Sequence, residues 1–210
     1  MENLGEKSNG PPFHHPMLPG DIRMLIVGQS GCGKTNLVVN LTLEYIKWTR
    51  LYIITNTPDQ KLYDLLRGIP KLKVKGYVHF ITPDQLRDNH EIFDDMPPLS
   101  LVIFDDFMLE KDQSFPSMVF SQGRHKKINS VYIAQFTETN LVIRQNANVL
   151  VMFILDSKSK ECVHSMYASA DMEVSDFKKI KLVNRDFLAL MPFTNSISKK
   201  YIKNFKTYLF

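Results

Sequence analysis

The stretch GQSGCGKT at residues 28–35, directly after the apolar run IRMLIV at residues 22–27, most constrains the fold of this chain. Its glycines, lysine and threonine have the spacing G-x-x-x-x-G-K-T, which is typical of a phosphate-binding loop between a strand and a helix. Glycines in such a loop let backbone N–H groups curl around an anion without a clashing Cβ. The sequence therefore predicts a strand, a phosphate-binding loop and a helix in succession.

The residue types in this loop indicate how it would hold a nucleotide. Lys34 reaches the β- and γ-phosphates, and the Thr35 hydroxyl is a ligand for Mg²⁺. The helix that follows points its positive end at the anion. The predicted nucleotide-binding residues are Gly28, Gln29, Ser30, Gly31, Cys32, Gly33, Lys34, Thr35 and Asn36.

The rest of the chain alternates apolar runs with segments of helical periodicity. Strands that are apolar throughout are typical of a parallel sheet covered by helices on both faces. We therefore predict an α/β fold with a mainly parallel sheet. The further expected strands are LYIIT at 51–55, YVHFI at 77–81, LSLVIF at 99–104, SVYIAQ at 130–135 and VLVMFIL at 149–155. The expected long helices cover residues 35–48, 58–67 and 114–127.

Two helices are predicted in more detail. In residues 58–67, Leu62, Leu65 and Leu66 are expected on one buried side. Asp156 or Ser157 is expected to cap a later helix, because short polar side chains accept hydrogen bonds from the first free N–H groups.

Composition divides the chain into three regions. Residues 1–20 hold four prolines and three glycines, which predicts a flexible arm. Residues 21–176 are the expected P-loop ATPase core, a size that one domain can fill. Residues 177–210 form a basic extension, in which FLALMPF and KKYIKNF flank TNSIS and are expected to form a hairpin packed on the core.

An acidic pair follows an apolar run in LVIFDDF at residues 101–107. Asp105, at the end of a buried strand, is expected to hold Mg²⁺, and Asp106 to orient or deprotonate the attacking water. A solvated turn is the alternative interpretation. Asp94 and Asp95 form a competing pair, but they follow no apolar strand and precede two prolines, which favours a loop.

Polar residues near the next strand are further candidates. Gln135 ends SVYIAQ and could sense the γ-phosphate if its strand lies between the two motif strands, although it could equally be an ordinary polar residue at a strand end. Arg124, just before this strand, could reach the nucleotide of a neighbouring subunit as an arginine finger. Arg144, in LVIRQN, is a second candidate for that role.

Taken in order, GQSGCGKT, LVIFDD, GRHKKINSVYIAQ and RQNANVLVMF resemble the genome-packaging ATPases of poxviruses, other large DNA viruses, virophages and Polinton-type elements, of the FtsK–HerA superfamily. The resemblance covers about residues 20–170. It implies a RecA-like P-loop NTPase core of the additional-strand type and assembly into a homo-oligomeric ring. It also implies ATP-driven movement of double-stranded DNA into a capsid.

The resemblance also implies roles for the matching positions. Lys34 and Thr35 become the nucleotide and Mg²⁺ residues, Asp105 the metal-binding acid, Gln135 the sensor and Arg124 the finger. The chain departs from the wider superfamily at its second acid, which is often glutamate there and is Asp106 here. The shorter side chain puts its role as the base in doubt.

Other nucleotide-binding proteins are alternatives. Small nucleoside or shikimate-type kinases carry the same loop, but they usually close an arginine-rich lid, and the later basic residues here are mostly lysines. A guanine-reading Asn-Lys-x-Asp motif is absent, and SQG at 121–123 matches an ABC signature poorly, so ATP is the expected nucleotide. A cellular or plasmid HerA-like DNA pump and a non-catalytic nucleotide-binding scaffold stay open.

Charge points to a polyanionic partner. Residues 177–210 contain eight basic residues and one acidic residue, and the whole chain has a net charge of +4. A basic end on a mildly acidic body favours contact with DNA phosphates. The candidate contacts are Lys199, Lys200, Lys203 and Lys206. Docking on a capsid vertex or on a neighbouring subunit is the alternative for this tail.

The sequence gives no reason to expect a membrane partner. MENLGEKSNG lacks the basic flank and apolar core of a signal peptide, and the seven residues of VLVMFIL cannot cross a bilayer. Cys32 and Cys162 make no disulfide framework, which favours a reducing setting. With the resemblance, this indicates an intracellular location, in the host cytoplasm or a viral factory, with virion association as a further possibility.

Overall fold

Nine strands form one sheet in the residues that the computed structural model describes. The described residues are 14, 16–68, 77–87, 90–135, 139–194 and 196–209. The strands are β1 (Arg23–Val27), β2 (Leu51–Thr55), β3 (Val78–Ile81), β4 (Leu101–Asp105), β5 (Asn129–Ala134), β6 (Val149–Met152), β7 (Leu188–Leu190), β8 (Tyr201–Lys203) and β9 (Thr207–Tyr208).

The strand order is β3-β2-β4-β5-β1-β6-β7-β8-β9. The six strands from β3 to β6 in this order pair in parallel, and the last three join as antiparallel neighbours. Strand β5 lies between β1 and β4, as the resemblance to additional-strand P-loop proteins implies. The predicted α/β fold with a mainly parallel sheet is confirmed.

Helices cover both faces of this sheet. The side chains of β1 alternate between two hydrophobic clusters, with Leu25 and Val27 in one and Met24 and Ile26 in the other. The prediction of two covered faces is therefore confirmed. The α-helices are α1 (Lys34–Asn40), α2 (Asp64–Arg67), α3 (Pro83–Arg87), α4 (Ser114–Gln122), α5 (Leu141–Asn146), α6 (Ser157–Tyr167), α7 (Val174–Lys179) and α8 (Ile197–Lys200).

The predicted helix at residues 35–48 is shorter and changes geometry. Helix α1 passes into a π-helical turn at Leu41–Tyr45. The Thr42 hydroxyl donates to the Val38 carbonyl at 2.8 Å, a bond back to the preceding turn that tends to bend helices. The Trp48 indole N–H donates to the Thr42 carbonyl at 2.9 Å, which holds the chain in the loop that follows.

The predicted burial of residues 58–67 is wrong at one position. The segment is a 3₁₀ turn, Lys61–Tyr63, followed by α2, and it buries Tyr63 and Leu66 completely, whereas Leu65 is 55% exposed. With three residues per turn, positions i and i+3 share a face. The tighter turn therefore replaces Leu65 with Tyr63 on the buried side.

Two other predicted elements end early. The helix expected to Lys127 ends as α4 at Gln122 and continues as a 3₁₀ turn, Gly123–Lys126. The strand expected to residue 155 ends at Met152. Asp156 then caps α6, since its carboxylate accepts from the Ser159 N–H at 2.9 Å, which decides between the two predicted caps.

The two ends of the described chain contact the core. His14 is buried, forms an isolated antiparallel bridge with Ile46, and accepts from the Lys47 N–H at 3.2 Å. Residues 1–13 and 15, most of the predicted arm, lie outside the described residues. At the other end β7 pairs with both β6 and β8, so the basic extension continues the central sheet.

Among the described residues, no helix combines the length and apolar character that a membrane-spanning segment needs.

Candidate active site

The phosphate-binding loop follows β1 and depends on its glycines. Gly31 and Gly33 have φ values of +75° and +107°, in the left-handed region that other residues adopt at a cost. A Cβ on Gly28 would lie 2.7 Å from the Phe153 Cβ and 2.8 Å from the Cys32 Sγ. Two glycines are therefore required by conformation and the third by the close approach of the chain after β6.

Lys34 is held inside this loop. Its Nζ donates to the carbonyls of Gly28 at 2.7 Å and Gln29 at 2.9 Å. The ammonium group therefore already lies along the curve of the loop, where a phosphate would meet it. A bound nucleotide would exchange these two bonds for bonds to phosphate oxygens.

Asp105 ends β4 and meets the loop across the sheet. It is only 2% exposed, and its Oδ2 accepts from the Thr35 hydroxyl at 3.2 Å. Strand β5 separates β1 from β4, so the contact joins the start of α1, which follows β1, to the end of a strand that is not the neighbour of β1. The structure thus brings together the two residues predicted to hold Mg²⁺.

Tyr63 is a residue of this site that the sequence did not reveal. Its hydroxyl donates to the Asp105 Oδ2 at 2.5 Å, and its side chain is fully buried. Burial first, and then the negative charge of Asp105, raise the pKa of Tyr63 far above its usual range, so it stays a proton donor. The only trace in the sequence is a tyrosine among the leucines of an amphipathic segment.

The electrostatics of Asp105 suit a bound cation. Burial raises the pKa of its carboxyl, the hydrogen bonds from Tyr63 and Thr35 oppose this shift, and the nearby charge of Asp106 adds to it. A hydroxyl and a carboxylate are the hard oxygen ligands that Mg²⁺ prefers, and a cation would stabilise the buried anion. The residues present therefore fit Mg²⁺, with Thr35 and Asp105 as its protein partners.

Asp106 differs from its neighbour in both exposure and backbone. It is exposed and has φ of +55°, a left-handed conformation that aspartate adopts more readily than most residues.

The competing acidic pair lies elsewhere. Asp94 forms an ion pair with Lys126 at 2.6 Å, and both Asp94 and Asp95 lie in a turn after a 3₁₀ segment.

Gln135 lies beside the phosphate-binding loop. It directly follows β5, the strand between the two motif strands, which is the position that the predicted sensor role requires. It lines a cavity of about 190 Å³ together with Gly28 and Gln29. The start of α6 closes the other side of this cavity with Asp156, Lys158 and Ser159, which no sequence motif indicated.

The two candidate arginines lie away from the loop of their own chain. Arg124 is exposed and lines a cavity of about 560 Å³ with Arg23 and Asn148, at the amino ends of β1 and β6. The phosphate-binding loop is at the carboxyl ends. Arg144 lies on α5, where its Nη1 contacts the Met166 Sδ at 3.5 Å. The structure does not bring either arginine to the nucleotide site.

The basic extension offers fewer free lysines than its sequence indicates. Lys200 is buried and forms an ion pair with Asp171, so its prediction as a DNA contact is wrong for the folded chain. Lys203 pairs with Asp186 at 2.8 Å. Lys199 and Lys206 remain exposed. Lys200 pairs with an acid of the core and Lys203 with an acid of the extension, and neither ion pair is visible in the sequence.

Comparisons with known proteins give a structural likeness only. No protein-family model matches the chain, and no curated protein does. Among solved structures, the chain is similar to the genome packaging NTPase B204 of Sulfolobus turreted icosahedral virus 2, in complex with ATP-γS. The TM-score is 0.62 at 13% identity, covering 91% of this chain and 100% of that one.

Two more solved structures share this architecture. The DNA-packaging ATPase B204 of Sulfolobus turreted icosahedral virus has a TM-score of 0.59 at 16% identity, over 88% of this chain and 97% of that chain. ATPases 2 and 3 of EssC from Geobacillus thermodenitrificans have a TM-score of 0.54 at 13% identity, over 82% of this chain and 38% of that chain. The chain therefore has the α/β P-loop fold that viral genome-packaging NTPases and EssC-type ATPases share.

Proposed function

We propose that this protein is an ATP-hydrolysing DNA translocase that packages double-stranded DNA into a preformed capsid. The observation that carries the proposal is the contact between Thr35 and Asp105 across β5, with Gln135 at the end of that strand. The likeness to B204, described as a genome packaging NTPase and solved with ATP-γS, supports it.

The proposed hydrolysis gives each of the predicted site residues a role. Lys34 would hold the β- and γ-phosphates, and Thr35 and Asp105 would hold Mg²⁺, which neutralises phosphate charge when it is bound. The exposed carboxylate of Asp106 would orient or deprotonate the attacking water, and Gln135 would contact the γ-phosphate from the side of the 190 Å³ cavity.

The proposed motor is a homo-oligomeric ring that acts at a capsid vertex inside the host cell. Arg124 lies at the amino ends of the strands, whereas its own phosphate-binding loop lies at their carboxyl ends, which supports a role on the nucleotide of a neighbouring subunit. The exposed Lys199 and Lys206 are the candidate contacts to DNA phosphates.

ATP hydrolysis measured with and without duplex DNA tests this proposal. We expect activity that rises with DNA and is lost in Lys34→Ala, because that substitution removes the phosphate-binding ammonium group. Phosphoryl transfer to a nucleoside, without a response to DNA, would instead establish the kinase alternative. A gene for a major capsid protein beside this one would favour packaging over a cellular DNA pump.

A further inference from the structure

Tyr63 belongs to none of the motifs of the proposed site, yet its hydroxyl contacts the acid at the centre of that site. We propose that Tyr63 is a positioning residue that fixes the Asp105 carboxylate for Mg²⁺-nucleotide binding. The inference rests on the proposed nucleotide site and adds a residue that acts on it through Asp105.

The hydrogen bonds of Asp105 show how this positioning would work. The hydroxyls of Tyr63 and Thr35 both donate to the Oδ2 atom, at 2.5 and 3.2 Å. Two donors on one oxygen fix the rotation of the carboxylate about its terminal bond. The Oδ1 atom, which takes neither bond, is then presented in one fixed direction. Partners of this kind orient metal-binding residues and raise metal affinity.

The tyrosine ring is itself held in place. It packs edge-on against the Phe80 ring of β3, with ring centroids 5.6 Å apart. The Arg67 guanidinium lies over the Phe80 ring, 4.2 Å from its centroid. Tyr63 is 0% exposed. Because these contacts restrain the ring, little side-chain freedom is lost when the hydroxyl holds Asp105.

A purely structural tyrosine would act through its ring, whereas a positioning tyrosine acts through its hydroxyl. Tyr63→Phe removes only the hydroxyl and keeps the packing on Phe80. Tyr132→Phe is the matched control, since Tyr132 is also buried, at 1% exposed, and donates to the Gln113 Oε1 at 2.9 Å. Both variants lose one buried tyrosine hydrogen bond, but only the first touches Asp105.

The test is the affinity for a fluorescent ATP analogue, measured without and with Mg²⁺. For Tyr63→Phe we expect unchanged affinity without Mg²⁺ and a gain on adding Mg²⁺ that is about 10-fold smaller than in the wild type, the lower end for outer partners of metal-binding residues. Tyr132→Phe should match the wild type in both. The proposal would be overturned if Mg²⁺ increased the affinity of Tyr63→Phe as much as that of the wild type. It would also be overturned if Tyr132→Phe lost as much of this increase as Tyr63→Phe.

A double-substitution experiment separates action through Asp105 from a general effect. In an Asp105→Asn background, Tyr63→Phe should cause no further loss of the Mg²⁺-dependent affinity. Losses that add would show that Tyr63 acts by another route. If the wild type itself gains no affinity from Mg²⁺, the proposed nucleotide site fails, which differs from a failure confined to Tyr63.

Discussion

Asp105 is a buried carboxylate whose hydroxyl partners offset only part of the cost of its charge. The folded chain therefore binds a proton at this position more tightly than the unfolded chain does. Without a bound cation, the buried charge of Asp105 lowers the stability of the fold, as is common where charged groups are buried for function.

We expect Asp105→Asn to be more stable than the wild type at neutral pH when no nucleotide or metal is present. The pKa of Asp105 is raised in the fold, so the wild type loses stability as the pH rises from the ordinary value of 3.8 towards the folded value. Asparagine has no such dependence. Melting temperatures in EDTA at pH 7 and at pH 3.5 measure this, and the gain should be absent at the lower pH. An equal gain at both pH values would refute the electrostatic explanation.

Gly28→Ala should destabilise the protein by about 1–3 kcal/mol, the usual cost of adding a methyl group to a packed site. The new Cβ would lie 2.7 Å from the Phe153 Cβ and 2.8 Å from the Cys32 Sγ, so the loop has to shift. Gly20→Ala is the control, because no atom lies within 4 Å of its Cβ position. Urea unfolding of both variants gives the comparison, and equal stabilities would contradict the close approach.

For individual residues, the sequence predicts sites whose members lie close together in the chain. Gly28, Lys34 and Thr35 lie in one short stretch with a recognisable spacing, and they form the expected loop. Tyr63 lies 42 residues from Asp105 in the chain, so no local pattern links them. Such a partner becomes visible only when the fold brings distant segments together.

The C-terminal elements are tied to the core through Asp171, which lies between α6 and α7. Its carboxylate accepts from Lys200 and, at 2.5 Å, from the Tyr201 hydroxyl, at the junction of α8 and β8. Desolvation works against this carboxylate's charge, but the two hydrogen bonds and the charge of Lys200 outweigh it and lower the pKa of Asp171. This contact fixes the last strands against the helical face.

Lys200→Ala should lower the stability by about 1–3 kcal/mol. This is less than the cost of breaking a fully buried ion pair, because the two side chains keep 11% and 16% exposure. Lys199→Ala, at the neighbouring exposed position, should be nearly neutral. Denaturant unfolding of both variants measures the difference, and similar losses would count against the ion pair.

The exposed and paired lysines of these elements predict a salt dependence of DNA binding. Each neutralised phosphate contributes about −0.9 to the slope of log affinity against log salt concentration. Replacing both Lys199 and Lys206 with glutamine should therefore reduce the slope by about 1.8. Lys200→Gln should leave it unchanged. A reduction of the slope in Lys200→Gln would show that the buried pair opens on DNA.

The hydrophobic pattern of the sequence predicts most of the helices and strands, but it does not predict where they end. All six strands predicted for the parallel part of the sheet form, because each is an apolar run with few alternatives. The π-helical turn after α1 depends on the hydrogen bonds of Thr42 and Trp48, and the 3₁₀ turn at Tyr63 on packing against β3 and β4. The first two are specific side-chain bonds to nearby backbone and the last is a contact between distant segments, and periodicity alone reports neither kind.

On the scale of the whole molecule, the sheet separates the phosphate-binding loop from Arg124. The five residues of β1 span about 15 Å, and the loop and Arg124 lie at opposite ends of that strand direction. One chain therefore carries its phosphate-binding loop at the carboxyl ends of the strands and Arg124 at their amino ends. A complete site would need two chains arranged head to tail.

This arrangement predicts complementation between two inactive variants. Arg124→Ala should retain nucleotide binding but lose about 10³-fold or more in hydrolysis, as other arginine fingers do. Lys34→Ala should lose nucleotide binding. In a mixture, an intact Lys34 site can receive Arg124 from the other variant, so hydrolysis should return to a measurable fraction of the wild type. No recovery in mixed assemblies, or full activity of a monomer, would remove the case for Arg124 in trans.

The far edge of the sheet limits how copies of this protein can associate. Strand β9 has only two residues, both exposed, and follows the charged side chain of Lys206. An open edge can template β-augmentation, in which a foreign strand pairs with unpaired backbone groups and seeds aggregation. So short an edge offers an incoming strand few hydrogen bonds. The protein is thus protected at this side against runaway polymerisation by strand addition, even at high local concentration.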